Sequence, residues 1–145
     1  MVLFGCDHAG FALKNELILY LASKNIPTQD FGCYSESSID YPDYAHPVAE
    51  MILDNPKFYG VLICGSGNGI NMTANKHMGI RSALCWNKEV AILARQHNNA
   101  NILALPARFL SLEEAKEIIS AFLETDFEGG RHQSRIEKIS PKGII

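Results

Sequence analysis

One thiol, Cys64, stands directly before Gly65-Ser66-Gly67-Asn68-Gly69. Three glycines at alternate positions let a chain turn tightly and bring its amides close to a ligand without Cβ collisions. The apolar run Val61-Leu62-Ile63 before them reads as a buried strand, and residues 71–78 after them as a short helix. Strand, glycine turn and helix start together favour a small anion. A thiol is a poor base at neutral pH, but a helix N-terminus lowers its pKa. The plainer role for Cys64 is a small buried hydrophobe closing a strand. The loop is not a Walker A motif, because no Lys follows at the required spacing. Nor is it the dinucleotide fingerprint: Ile70 stands where the third glycine belongs, and residues 6–10 carry no such pattern. What remains is a loop for a small oxyanion beside a base or nucleophile.

Other polar groups join it. Asp7-His8 follows an apolar run, where a His can donate to a phosphate or a sugar hydroxyl. His97 falls on an apolar helical face beside Asn98, a position more often filled by a core histidine; His46 and His77 read as structural. Arg131 and Arg135 are four apart, so two guanidinium forks share one helical face and suit a phosphate, or form a solvated basic face. Arg108 offers a third cation, and Ser66 either orients a proton or bonds its own turn.

These groups need elements to carry them. Residues 2–6, 27–31, 61–63, 81–85 and 102–105 read as strands. Phe11, Leu13, Leu17, Ile18 and Leu21 mark one helical face, with Lys14, Asn15 and Lys24 on others. Tyr41-Pro42 predicts an extended approach to a second helix through Tyr44, Val48, Met51 and Ile52. Asn87 is expected to cap a helix with inner face Val90, Leu93, Ala94 and His97. Ser111-Leu112-Glu113-Glu114 has the capping-box form before Ala115, Ile118, Ile119 and Phe122. A last helix is predicted over residues 131–139. Alternating strands and helices predict a three-layer α/β/α sandwich around a Rossmann-like, five-stranded parallel sheet, one domain over residues 1–145. Ligands bind beyond the carboxyl ends of such strands, which gathers Asp7-His8, the glycine loop and Arg108 on one edge.

Composition narrows the class. A net charge of -3 argues against a general nucleic-acid binder, and no apolar run is long enough to span a bilayer. Cys6, Cys33, Cys64 and Cys85 form no C-x-x-C pair, which disfavours structural zinc and suits free thiols in a reducing cytoplasm.

The runs Gly5-Cys6-Asp7-His8-Ala9-Gly10, Ile63 through Ile70, Ala74-Asn75-Lys76, Arg95-Gln96-His97-Asn98 and Glu128-Gly129-Gly130-Arg131-His132 occur in order at the expected intervals. Together they closely resemble the B-type ribose-5-phosphate isomerases, in the sugar-phosphate isomerase family that also includes galactose-6-phosphate isomerase subunits. The resemblance covers nearly the whole chain. It implies interconversion of ribose 5-phosphate and ribulose 5-phosphate in pentose metabolism, through a cis-enediolate, with no metal or cofactor. Cys64 would be the base, supported by Ser66, and His97 would assist ring opening. Asp7 and Asn98 would hold sugar hydroxyls, and the amides of Gly65, Gly67, Asn68 and Gly69 the enediolate oxygen. His8, Arg108, Arg131 and Arg135 would take the phosphate. Some relatives use a Glu after the loop instead of the Cys; here that place is Ile70. Family members are dimers with a shared site, so a homodimer or tetramer is implied, with the last helix at the subunit interface. Rival readings are isomerisation of a hexose 6-phosphate, allose or galactose 6-phosphate, and a phosphosugar-binding module without turnover.

Overall fold

The computed structural model describes residues 1–142. Five strands form one sheet: β1 (Val2–Cys6), β2 (Thr28–Asp30), β3 (Tyr59–Cys64), β4 (Ser82–Leu84) and β5 (Ile102–Pro106). All pairs are parallel, in the order β2-β1-β3-β5-β4. The inner strands β1, β3 and β5 have almost no polar alternation because helices cover both of their faces. The helices are α1 (Phe11–Ser23), α2 (Pro42–Asp54), α3 (Asn68–Ala74), α4 (Lys88–Asn98), α5 (Leu112–Glu124) and α6 (Arg131–Ile136).

Successive strand residues point to opposite faces, and the core divides accordingly. Phe4, Ile63 and Leu105 pack with Leu17 and Leu21 of α1, Ala94 of α4 and Phe122 of α5. Leu3, Leu62 and Cys64 pack on the other face with Val48 and Ile52 of α2 and Ile70 of α3. The three-layer sandwich expected from the sequence is therefore the architecture. Both predicted caps form: Asn87 Oδ1 accepts the Val90 N–H at 2.9 Å, and Ser111 and Glu114 bond reciprocally.

Five local expectations change. Tyr41 is helical (φ -57°, ψ -34°) rather than extended, because Pro42 takes the first helical position and the Tyr41 carbonyl accepts from Tyr44 and Ala45. The helix after the glycine loop starts at Asn68 instead of residue 71. Gly67, at φ +76°, turns the chain into it, and the Asn75 side chain makes two hydrogen bonds to the Ser82 backbone just past its end. On α4 the buried face is Ala91, Ala94 and Arg95, while Leu93 is 46% exposed and His97 half-buried. Arg95 wins its place through acceptors: Thr125 O, Ala100 O and the Tyr59 hydroxyl, with its guanidinium over the Tyr59 and Phe122 rings. The last helix ends at Ile136, three residues short of its predicted limit.

Lys14 is the largest departure. Expected away from the inner face, it is fully buried, bonding both Asp30 carboxylate oxygens at 2.7 Å and the Cys33 carbonyl at 2.6 Å. Its spacing from Leu17 and Leu21, three and seven residues, put it on the buried stripe. An ion pair and a carbonyl offset the desolvation that a lone ammonium would suffer. The ammonium ties α1 to the end of β2 through Asp30 and to the segment after it through the Cys33 carbonyl.

Candidate active site

The chain leaves β1 outward to β2 and returns on the other side at β3, so a crevice opens beyond the ends of β1 and β3. Asp7 lies on one lip; its N–H donates to the Ile63 carbonyl at 3.0 Å and its Oδ1 accepts the Gly10 N–H at 3.1 Å. His8 Nδ1 accepts the Ile39 N–H at 3.3 Å, which leaves Nε2 as the ring's donor. Cys64 ends β3 opposite Pro106 and is 4% exposed. Gly69 lies against the Tyr41 ring, where a Cβ would collide. The Arg108 N–H donates to the Gly65 carbonyl at 3.0 Å, and its guanidinium lies against Gly65. Ser66 bonds its own turn, accepting the Asn68 N–H at 3.3 Å.

Burial pushes Cys6 and Cys85 up to about 12; for Cys6 the nearby Cys33, 3.7 Å away between sulfurs, adds to the effect. Both stay protonated at neutral pH.

The remaining predicted residues do not join this edge within one chain. Helix α4 leaves β4 at the carboxyl edge and runs back along the sheet. Its end is fixed near the strand starts: Arg81, just before β4, donates to the Asn98 carbonyl at 2.9 Å. Eleven residues of helix put His97 and Asn98 on the order of 15 Å from the edge that carries Cys64. Helix α6 packs on this end of α4, and the Glu128 N–H donates to the Gln96 carbonyl. Arg131 and Arg135 project exposed from α6.

The candidate residues thus fall into two separate groups. One offers a thiol, backbone amides, an acceptor carboxylate and a His donor at a crevice. The other offers an imidazole, an amide side chain and two guanidinium groups on a helical surface. Sequence reading gave no role to Tyr41, Glu128 or His132. His132 is buried and its ring stacks on His97 with centroids 4.3 Å apart. Its place in the run Gly129-Gly130-Arg131-His132 was the available signal. Among the described residues, no helix is long and apolar enough to cross a membrane.

The family described as Ribose/Galactose Isomerase matches residues 2–139. Ribose-5-phosphate isomerase B of Escherichia coli (strain K12) is 45% identical over 139 residues, covering 96% of this chain and 93% of the relative. Among solved structures, a ribose 5-phosphate isomerase from Thermotoga maritima superposes with a TM-score of 0.93 at 50% identity, covering 94% of each chain. Ribose-5-phosphate isomerase B from Mycoplasma genitalium, solved with bound ribulose-5-phosphate, gives a TM-score of 0.91 at 43% identity, covering 95% of this chain and 92% of that one.

Proposed function

The chain belongs to the ribose/galactose isomerase family, and on that premise we propose that it interconverts D-ribose 5-phosphate and D-ribulose 5-phosphate. The observation that carries the reading is Cys64 at the β1/β3 crevice, directly before the loop that starts α3 and beside Asp7, His8 and Arg108. Aldose–ketose isomerisation needs a base at the carbon next to a carbonyl and donors for the oxygen that becomes negative. The Cys64 thiolate takes the C2 proton of the open-chain aldose, giving a cis-enediolate whose oxygen is held by the amides between Gly65 and Gly69. The O2 hydroxyl proton passes to O1 and the thiol returns its proton to C1, which leaves the C2 carbonyl and C1 hydroxyl of the ketose. Ser66 supports the thiol, and Asp7 and Asn98 hold hydroxyls of the sugar. His97 helps open the furanose ring. His8, Arg108, Arg131 and Arg135 grip the phosphate, whose binding energy orients the reacting carbons.

Two half-sites on opposite edges support a homodimer or a tetramer, in which Cys64 of one chain faces His97, Asn98 and the α6 arginines of another. The apolar surface along β4 supports the same assembly. A cavity of about 530 Å3 there is lined in part by Leu84, Leu93, Trp86 and Ile139, the last two 57% exposed. Four free thiols suit the cytoplasm.

Purified, chelator-treated protein offered ribose 5-phosphate and allose 6-phosphate tests the reaction. Turnover of the pentose with a higher kcat/KM is expected. Preference for the hexose would transfer the assignment to that sugar, and binding of either without turnover would replace the enzyme with a binding module.

A further inference from the structure

His97 does not stand alone on its half-site. The His132 ring lies face to face with it, centroids 4.3 Å apart and planes within 12° of parallel. His132 is itself 8% exposed, and its Nε2 lies 3.5 Å from a carboxylate oxygen of Glu128. The segment bearing that carboxylate is pinned to α4 by the Glu128 N–H to the Gln96 carbonyl at 3.1 Å, and His132 is held in turn by its N–H to the Gly129 carbonyl. Ligand atoms of His97, Glu128 and His132 all lie within 4.8 Å of one another, close enough to suggest a metal site. The stack argues otherwise: imidazole lone pairs lie in the ring plane, so face-to-face rings aim them side by side instead of at one ion.

We propose that His132, oriented by Glu128, is a positioning residue that holds the His97 ring in the attitude needed to open the sugar ring. An imidazole at a helix end has free rotation about two side-chain bonds unless something packs on it. The stack removes that freedom and ties α4 to α6, the helix that carries Arg131 and Arg135. The ring-opening group and the phosphate cations are thereby set at a fixed spacing on one surface. This inference rests on the reading of His97 as the ring-opening group.

The test uses the full-length enzyme and two measurements. The first is steady-state conversion of ribose 5-phosphate, which is cyclic in solution. The second is loss of the C1–H signal of ribulose 5-phosphate in D2O; this ketose cannot close to a furanose, because its O5 carries the phosphate, so exchange reports enolisation without ring opening. His132→Ala should lower kcat on ribose 5-phosphate about tenfold, part of the 10²–10⁴ that acid–base groups supply, with KM and the exchange rate within about twofold of wild type. His132→Phe, which keeps a stacking ring, should recover most of the loss, and Glu128→Gln should lie between. Equal loss of exchange and conversion in His132→Ala would overturn the proposal, as would a Phe variant no better than Ala, or an Ala variant with unchanged kcat. Cys64→Ala separates the two readings: exchange that survives in that variant removes the thiol as base, whatever His132 does.

Discussion

The two proposed half-sites are built by different means. At the carboxyl edge the proposed chemistry is made by backbone and buried groups: Cys64 closes a strand in the core, and Asp7 and Arg108 are bonded into the corners between strands and loops. At the far edge it is made by side chains on a helix surface, with Arg131 and Arg135 exposed and only the stacked imidazoles fixed. Groups that stabilise a transition state must already point at the developing charge, so they belong on the rigid sheet. Groups that grip a dianion act through charge over a longer reach and tolerate a helix exposed to water. Loss of the thiol or its loop should therefore lower kcat, and loss of an α6 arginine should raise KM.

The sharpest test of that contrast removes the thiol. Cys64→Ala should lower kcat by roughly 10³ or more while a phosphate ligand still binds; a variant retaining full turnover would refute the thiol's role. Mixing that protein, after dissociation and reassembly, with inactive His97→Asn should restore about a quarter of wild-type turnover, because half of the dimers carry one intact shared site. No recovery would mean that each chain completes its own site.

Next in size is the support beneath the carboxyl edge. Lys14→Ala leaves Asp30 and the Cys33 carbonyl without their cation and should cost about 3 kcal/mol of unfolding free energy in a denaturant titration. Lys14→Met, which fills the volume, should cost less.

On the far edge, Arg131→Ala or Arg135→Ala should raise KM roughly 10-fold, the worth of one charge-assisted bond, with kcat little changed. An unchanged KM would move the phosphate elsewhere.

The smallest effect is a slope. An ordinary thiol titrates near 9.0, while Cys6 and Cys85 in the folded chain hold their protons up to about 12. Between those values the native state binds more protons than the unfolded one. The stability due to these thiols is complete below pH 9 and is lost as pH rises toward 12. Thermal melts of Cys85→Ala should fall less steeply over that range; parallel curves would show that the thiol contributes nothing.

Much of this is legible in the sequence. The residues around Cys64 combined an unbroken apolar strand with glycines, and both signals are local, so the loop's place followed from chain order and the rule for parallel sheets. The α4 face was misread because hydrophobicity alone favoured Leu93 over Arg95, and only the carbonyls and rings that the fold assembles around Arg95 make its burial favourable. Lys14 was misread for the same reason, since its partner Asp30 is sixteen residues away. The start of α3 shifted because Asn68 and Gly69, poor helix formers by propensity, are held by the turn at Gly67 and the contact with Tyr41.

By itself the sequence determined the sandwich, its strands and the thiol at the glycine loop, because periodicity, capping and turn chemistry act over a few residues. Only the tertiary structure decided that His97 and Asn98 lie a helix length from Cys64 and that His132 stacks on His97. Those facts depend on the direction in which α4 crosses the sheet and on the docking of α6 against its end, and both are set by packing between segments distant in the chain.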